Sequence, residues 1–188
     1  MYPNWFEHTA QHNFEIYLAE FADASNLSFL QIGAFTGDAS LWMLENILTD
    51  KSSVLYDVDT WNGSPDEQVH AEMDFEDVFN TYLAKTGYPN RIFYVGKSVD
   101  YLLSSKQPKY DFIYIDGDHT ASVVLDDAVL AWQHLKSGGI MAFDDYTWSH
   151  PSGDFLLKPK PSIDLFVTIK RPELDILEVN GQVWLRKK

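Results

Sequence analysis

The 188-residue sequence contains no cysteine, which excludes disulfide scaffolds, thiolate-ligated zinc, iron–sulfur centres and thiol nucleophiles. Basic residues are scarce: 14 Lys and Arg stand against 28 Asp and Glu, a formal net charge of −14. A chain this acidic repels phosphate backbones and anionic lipid surfaces, so neither nucleic acid nor a membrane is expected as a partner. No 18-residue apolar run and no basic leader is present, and a cytoplasmic location is expected.

Apolar side chains, by contrast, are plentiful at 45%, with 12 Phe, 10 Tyr and 6 Trp, which rules out a mainly disordered chain. The length suits one domain spanning 1–188. The acids are unevenly placed. Residues 1–50 hold seven acids and no Lys or Arg, while residues 151–188 hold five acids and seven bases. Most of that excess reads as solvated surface. A sharper reading is that some carboxylates converge on a metal or a cationic cofactor.

Strand-like and helix-like periods alternate along the chain. Asn4 is placed to cap a helix in which Phe14, Tyr17, Leu18 and Phe21 share a face. Strands are expected at Leu27–Ile32, Ser53–Asp59, Arg91–Val95, Asp111–Ile115 and Ile140–Phe143, with helices between them. The longest helix, Thr120–Lys136, is expected to stop at Gly138-Gly139. Residues 144–161 form one long irregular segment, and Pro161 opens a further helix. Asn180-Gly181 between two apolar runs predicts a hairpin. The fold class is therefore α/β: a three-layer, Rossmann-like domain with a mainly parallel sheet and an antiparallel C-terminal hairpin.

In such sheets ligands bind beyond the carboxyl ends of the strands. The first end carries Gly33 and Gly37, four apart, which permit a tight turn and close backbone approach, or merely a turn. At the second, Asp59 is placed to accept hydrogen bonds from ribose hydroxyls, with Asp57 pointing into a helix layer or lying beneath the site. Trp61 flanks a nucleoside or covers the edge of the core. Ser98, at the third end, caps a helix or meets an adenine. Asp116 follows strand four, and Asp144 and Asp145 follow strand five. Like charges gathered there repel unless protonated or joined to a cation, and an all-oxygen set suits Mg²⁺, Ca²⁺ or Mn²⁺ better than zinc. His119 stands beside them, and because an unperturbed imidazole titrates near neutrality it is a candidate proton acceptor.

The order of these segments resembles class I S-adenosylmethionine-dependent methyltransferases. The segments are the glycine turn, Asp59-Thr60-Trp61-Asn62-Gly63, Gly96-Lys97-Ser98, Tyr110 to His119, Leu135 to Gly139 and Asp144-Asp145-Tyr146. Within that class the chain is most similar to metal-dependent O-methyltransferases of small molecules, of the catechol and macrolide-sugar types. The resemblance implies a seven-stranded sheet and S-adenosylmethionine as methyl donor, with Gly33, Ala34 and Gly37 along its methionine and ribose. Asp59 would hold the ribose, Thr60 or Trp61 the nucleoside, and Ser98 with Val99 the adenine. Asp116 would border the donor and ligate a divalent metal, most naturally Mg²⁺, with Asp144 and Asp145. His119 would be the general base, with Asp116 also in the catalytic set. Gln31 departs from the acid that commonly precedes the first glycine.

The chain is thus expected to comprise an N-terminal helical cap (1–26), a cofactor- and metal-binding core (27–145), and a substrate loop, helix and edge hairpin (146–188). The expected reaction is methyl transfer to a hydroxyl of a small molecule. Alternatives are a metal-independent N- or O-methyltransferase and a non-catalytic nucleoside- or protein-binding domain. The short cap and the surplus of aromatics fit a homo-oligomer.

Overall fold

A computed structural model describes residues 2–63, 68–104 and 107–188 and divides into two compact units, one ending at Lys97 and the other beginning at Ser98. Residues 64–67, which follow the second expected strand, lie outside the described residues.

The first unit opens with α1 (Trp5–Thr9) and α2 (Gln11–Tyr17). Asn4 does cap α1, its side chain accepting the Glu7 N–H at 3.1 Å. The single helix expected to reach Phe21 is broken at Ala10. The Thr9 hydroxyl bonds back to the Trp5 carbonyl at 2.9 Å, a contact that competes with the helical ladder. Then follow β1 (Ser28–Ile32), α3 (Asp38–Asn46), β2 (Val54–Asp59), α4 (Phe75–Lys85) and β3 (Arg91–Val95). The strands are parallel in the order β3-β2-β1, and Gln31 lies directly opposite Asp57. Asp74 caps α4 by accepting the Glu76 and Asp77 N–H groups.

The second unit contains α5 (Ser98–Leu102), β4 (Tyr110–Ile115), α6 (Ala121–His134), β5 (Leu135–Phe143), α7 (Lys160–Lys170), β6 (Leu174–Val179) and β7 (Val183–Lys187). Its strand order is β4-β5-β7-β6, with β4 and β5 parallel and the hairpin antiparallel. Asn180 closes the expected turn: its side chain accepts the Gln182 N–H at 2.9 Å. The core here holds Phe112, Trp132, Phe143, Phe166 and Trp184, all essentially inaccessible to water. Burying each contributes roughly 1.5–3 kcal/mol.

The glycine pair 138–139 does not stop the long helix. That helix ends at His134, and the glycines lie within β5, where the register against β4 shifts between Tyr110 and Phe112. A Cβ on Gly139 would stand 2.9 Å from the Asp111 carbonyl, so the strands could not approach. Gly138, at φ +81°, makes the local bend. Among the described residues, seven strands are present and no helix is long and apolar enough to cross a membrane.

Candidate active site

In the first unit the chain leaves β1 through a turn in which Gly33, Phe35 and Gly37 all have positive φ, at 86°, 45° and 83°. A Cβ on Gly37 would sit 2.8 Å from Thr86 Cγ2 and 2.9 Å from Tyr82 Cδ2, so both backbone and space require glycine there. Asp59, at the end of β2, holds this turn. Its Oδ2 accepts the Ala34 and Phe35 N–H groups at 2.7 and 2.9 Å, and its Oδ1 accepts the Trp61 N–H at 2.7 Å. Gly33, Ala34, Gly37 and Asp59 are therefore brought together. A carboxylate has about four lone-pair sites, so one remains beyond these three bonds.

Trp61 is buried against Ala34, Val78 and Tyr82, and its indole donates to the Phe35 carbonyl at 2.9 Å. Thr60 is exposed, and its hydroxyl accepts the Asn62 N–H. Phe35, which sequence reasoning did not single out, stacks on Trp5 with ring centroids 4.9 Å apart. Also missed were Ser40 and Tyr82, which with Gln31 hydrogen-bond around the fully buried Asp57.

In the second unit β4 and β5 run side by side, and the Asp144 N–H donates to the Ile115 carbonyl, so the acids that follow both strands meet. Tyr114 donates to Asp144 Oδ2 and also hydrogen-bonds Asp116. Loss of water and repulsion from Asp144 and Asp145 push the Asp116 carboxyl well above the ordinary range, with His119 opposing. Desolvation, then Asp145, pushes Asp144 up to about 6. Asp145 has φ +55°, and its Oδ2 lies 2.9 Å from His119 Nε2. The Trp148 ring packs against His119 at 4.5 Å between centroids. Asp118 accepts the Thr120 N–H and hydroxyl just ahead of α6.

Asp116, His119, Asp144 and Asp145 line a cavity of about 10 Å³, room for a single water-sized species. Three crowded carboxylates and one histidine suit a hard divalent cation. Among the described residues no group of three or more His, Asp or Glu is arranged to hold an ion, Asp145 being turned onto His119. Ser98 opens α5, and its hydroxyl donates to Asp127 at 2.5 Å. Burial pushes the Asp127 carboxyl up to about 7.

Comparison with known proteins gives these strand ends a context. The sequence model of a family described as "Methyltransferase domain" matches residues 30–146. Tapetum-specific methyltransferase 1 of Arabidopsis thaliana is 26% identical over 123 residues, covering 63% of this chain and 46% of that protein. The chain spans less than two thirds of the length of the curated relatives it matches, 63% and 46%. An O-methyltransferase from Bacillus cereus, solved in complex with SAH, is similar over 100% of this chain and 92% of that one, at a TM-score of 0.62 and 15% identity. MycE methyltransferase of the mycinamycin biosynthetic pathway, solved with Mg and SAH, is similar over 100% of this chain and 50% of that one, at a TM-score of 0.65 and 14% identity. These likenesses show the Rossmann-like methyltransferase fold with its antiparallel C-terminal hairpin. The chain belongs to the methyltransferase-domain family.

Proposed function

We propose that this protein transfers a methyl group from S-adenosylmethionine to a hydroxyl of a small molecule, with His119 as general base and a divalent metal, Mg²⁺ most naturally, as assistant. The observation that carries the reading is the set of three mutually repelling carboxylates beside a histidine at the ends of two adjacent parallel strands, Asp116, Asp144 and Asp145 with His119. SAH in the Bacillus cereus protein, and SAH with Mg in MycE, support the choice of ligands.

On this reading the donor is held by the backbone of Gly33, Ala34 and Gly37, by Asp59 at its ribose, by Thr60 or Trp61 at its nucleoside, and by Ser98 and Val99 at its adenine, with Asp116 bordering it. When bound, the donor supplies an electrophilic sulfonium methyl. A cation held by Asp116, Asp144 and Asp145 would lower the pKa of the acceptor hydroxyl. His119 takes the proton of that hydroxyl, and the Asp145 carboxylate at Nε2 stabilises the imidazolium that forms. The deprotonated oxygen would attack the sulfonium methyl carbon in line, the new O–C bond forming as the S–C bond breaks and the thioether S-adenosylhomocysteine departs. Alignment of the reacting atoms supplies much of the rate. Trp148 against His119 restricts water at the base.

A metal-independent transfer is the second reading, favoured by the direct 2.9 Å contact of Asp145 Oδ2 with His119 Nε2, which orients the histidine. Calorimetric titration with S-adenosylmethionine separates the broad classes: binding at micromolar concentration is expected, and none below millimolar rejects methyl transfer in favour of a non-catalytic domain. Transfer to catechols and vicinal diols, with and without a chelator, then decides the metal.

A further inference from the structure

Five side chains beneath the glycine turn of the first unit form one connected set of hydrogen bonds, and the protons in it can be counted. Arg91 Nη1 lies 3.3 Å from the Tyr82 hydroxyl, which lies 2.8 Å from Asp57 Oδ2. A guanidinium only donates, so the phenol accepts from Arg91 and gives its one proton to Asp57. At the other end Gln31 Nε2 lies 2.8 Å from the Gly33 carbonyl. That carbonyl only accepts, which fixes the amide orientation and leaves Gln31 Oε1 an acceptor. Ser40 Oγ stands between, 3.0 Å from Gln31 Oε1 and 3.1 Å from Asp57 Oδ1. Two bonds need two protons. The serine hydroxyl has one, and of these three oxygens only Asp57 Oδ1 can carry the other.

We infer that Asp57 is a carboxylic acid in the folded protein and a positioning residue for the methyl donor. Its proton directs a chain of hydrogen bonds from Asp57 through Ser40 and Gln31 to the Gly33 carbonyl, and so fixes the turn that grips the donor. The donor-binding role of the turn rests on the function proposed above; the protonation of Asp57 does not.

The surroundings favour the neutral acid. Asp57 is fully buried, and the groups facing it are Gln31 from β1, Ser40 from α3, Tyr82 from α4, Arg91 from β3 and Asp59 from its own strand. Desolvation pushes its carboxyl up to about 7, against the opposing pull of Tyr82, Ser40 and Arg91, while the Asp59 charge adds to the rise. Once Asp57 ionises, Ser40 turns its proton to the carboxylate. Gln31 Oε1 then loses its donor, and the amide that holds the Gly33 carbonyl loses its anchor.

Two measurements test this. Infrared difference spectra of the wild type and Asp57→Asn, near pH 6, should show the carbonyl stretch of a protonated carboxylic acid that the variant lacks; a carboxylate signature for Asp57 at that pH overturns the inference. Calorimetry with SAH across the neutral range reads the consequence. If only the protonated form holds the turn, the wild-type Kd rises about tenfold for one pH step above the midpoint. The side-chain amide introduced by Asp57→Asn donates to Ser40 at any pH, so this variant should keep the low-pH affinity throughout. Ser40→Ala should bind SAH more weakly and without the pH step. A variant at Asp57 that follows the wild-type pH profile, or a Ser40→Ala that keeps the step, overturns the positioning role. If the wild type binds no SAH at any pH, the function proposed above fails, and the infrared result still decides the state of Asp57.

Discussion

Replacing Asp57 by asparagine should make the protein less sensitive to alkali, by an amount that follows from burial. The carboxyl sits at about 7 in the fold, against roughly 3.9 in an unfolded chain. Because the folded value is raised, the stability this group contributes is fully present below about pH 4 and is lost as pH rises through about 7. Over that interval the unfolded chain has already released the proton that the folded chain still holds. Each pH step is worth about 1.4 kcal/mol, so between about pH 5 and pH 8 the wild type gives up roughly 3 kcal/mol through Asp57 alone. The replacement amide does not titrate and keeps the bonds to Tyr82 and Ser40. Urea denaturation of both proteins at those two pH values isolates the effect, since Asp127 and the other raised carboxyls cancel in the difference. The variant should gain about 3 kcal/mol relative to the wild type on going from the lower pH to the higher. A stability gap unchanged within about 0.5 kcal/mol would refute the reasoning.

Gly37→Ala forces a Cβ against Thr86 and Tyr82 at φ +83°. Urea titration should show a loss of about 2–4 kcal/mol, and an unchanged midpoint would mean the turn relaxes freely. His119→Ala should lower turnover by about 10²–10⁴ while leaving S-adenosylmethionine affinity within about twofold, as steady-state kinetics and calorimetry would read. Near-wild-type turnover would remove His119 from the base role. Asp145→Asn should weaken Mn²⁺ binding by at least about tenfold in calorimetry, with donor affinity little changed. Equal metal affinity would leave Asp145 as the partner of His119 only.

Much of the site was legible because parallel strands end where their apolar runs end. Asp57 and Asp59 lie two apart on β2 and share a face; the inner one is expected to point into a helix layer or lie beneath the site, and the structure buries it, while Asp59 at the strand end meets the turn after β1. The adjacency of β4 and β5 likewise brought Asp116 and Asp144 together. What one chain pattern could not carry was pairing across long separations. Tyr82 reaches Asp57 from a helix 25 residues away, and nothing in the amphipathic spacing of α4 says which of its aromatic side chains turns inward. The approach of Asp145 to His119 depends on a left-handed backbone at an aspartate, a conformation the sequence does not announce. Gly138-Gly139 read as a helix stop because glycine both ends helices and opens strands; the Asp111 carbonyl decides for the strand. The break at Ala10 had no glycine or proline to mark it.

The central claim is methyl transfer from S-adenosylmethionine to a small-molecule hydroxyl. Its most direct test is a radiolabelled transfer assay from methyl-labelled S-adenosylmethionine to a panel of catechols and vicinal diols, run with Mg²⁺, with a chelator, and with Mg²⁺ restored. Labelled methyl ether should form with Mg²⁺, stop with the chelator and return on restoration. Tight binding of the donor with no labelled ether from any acceptor, or label appearing only on nitrogen, would contradict it.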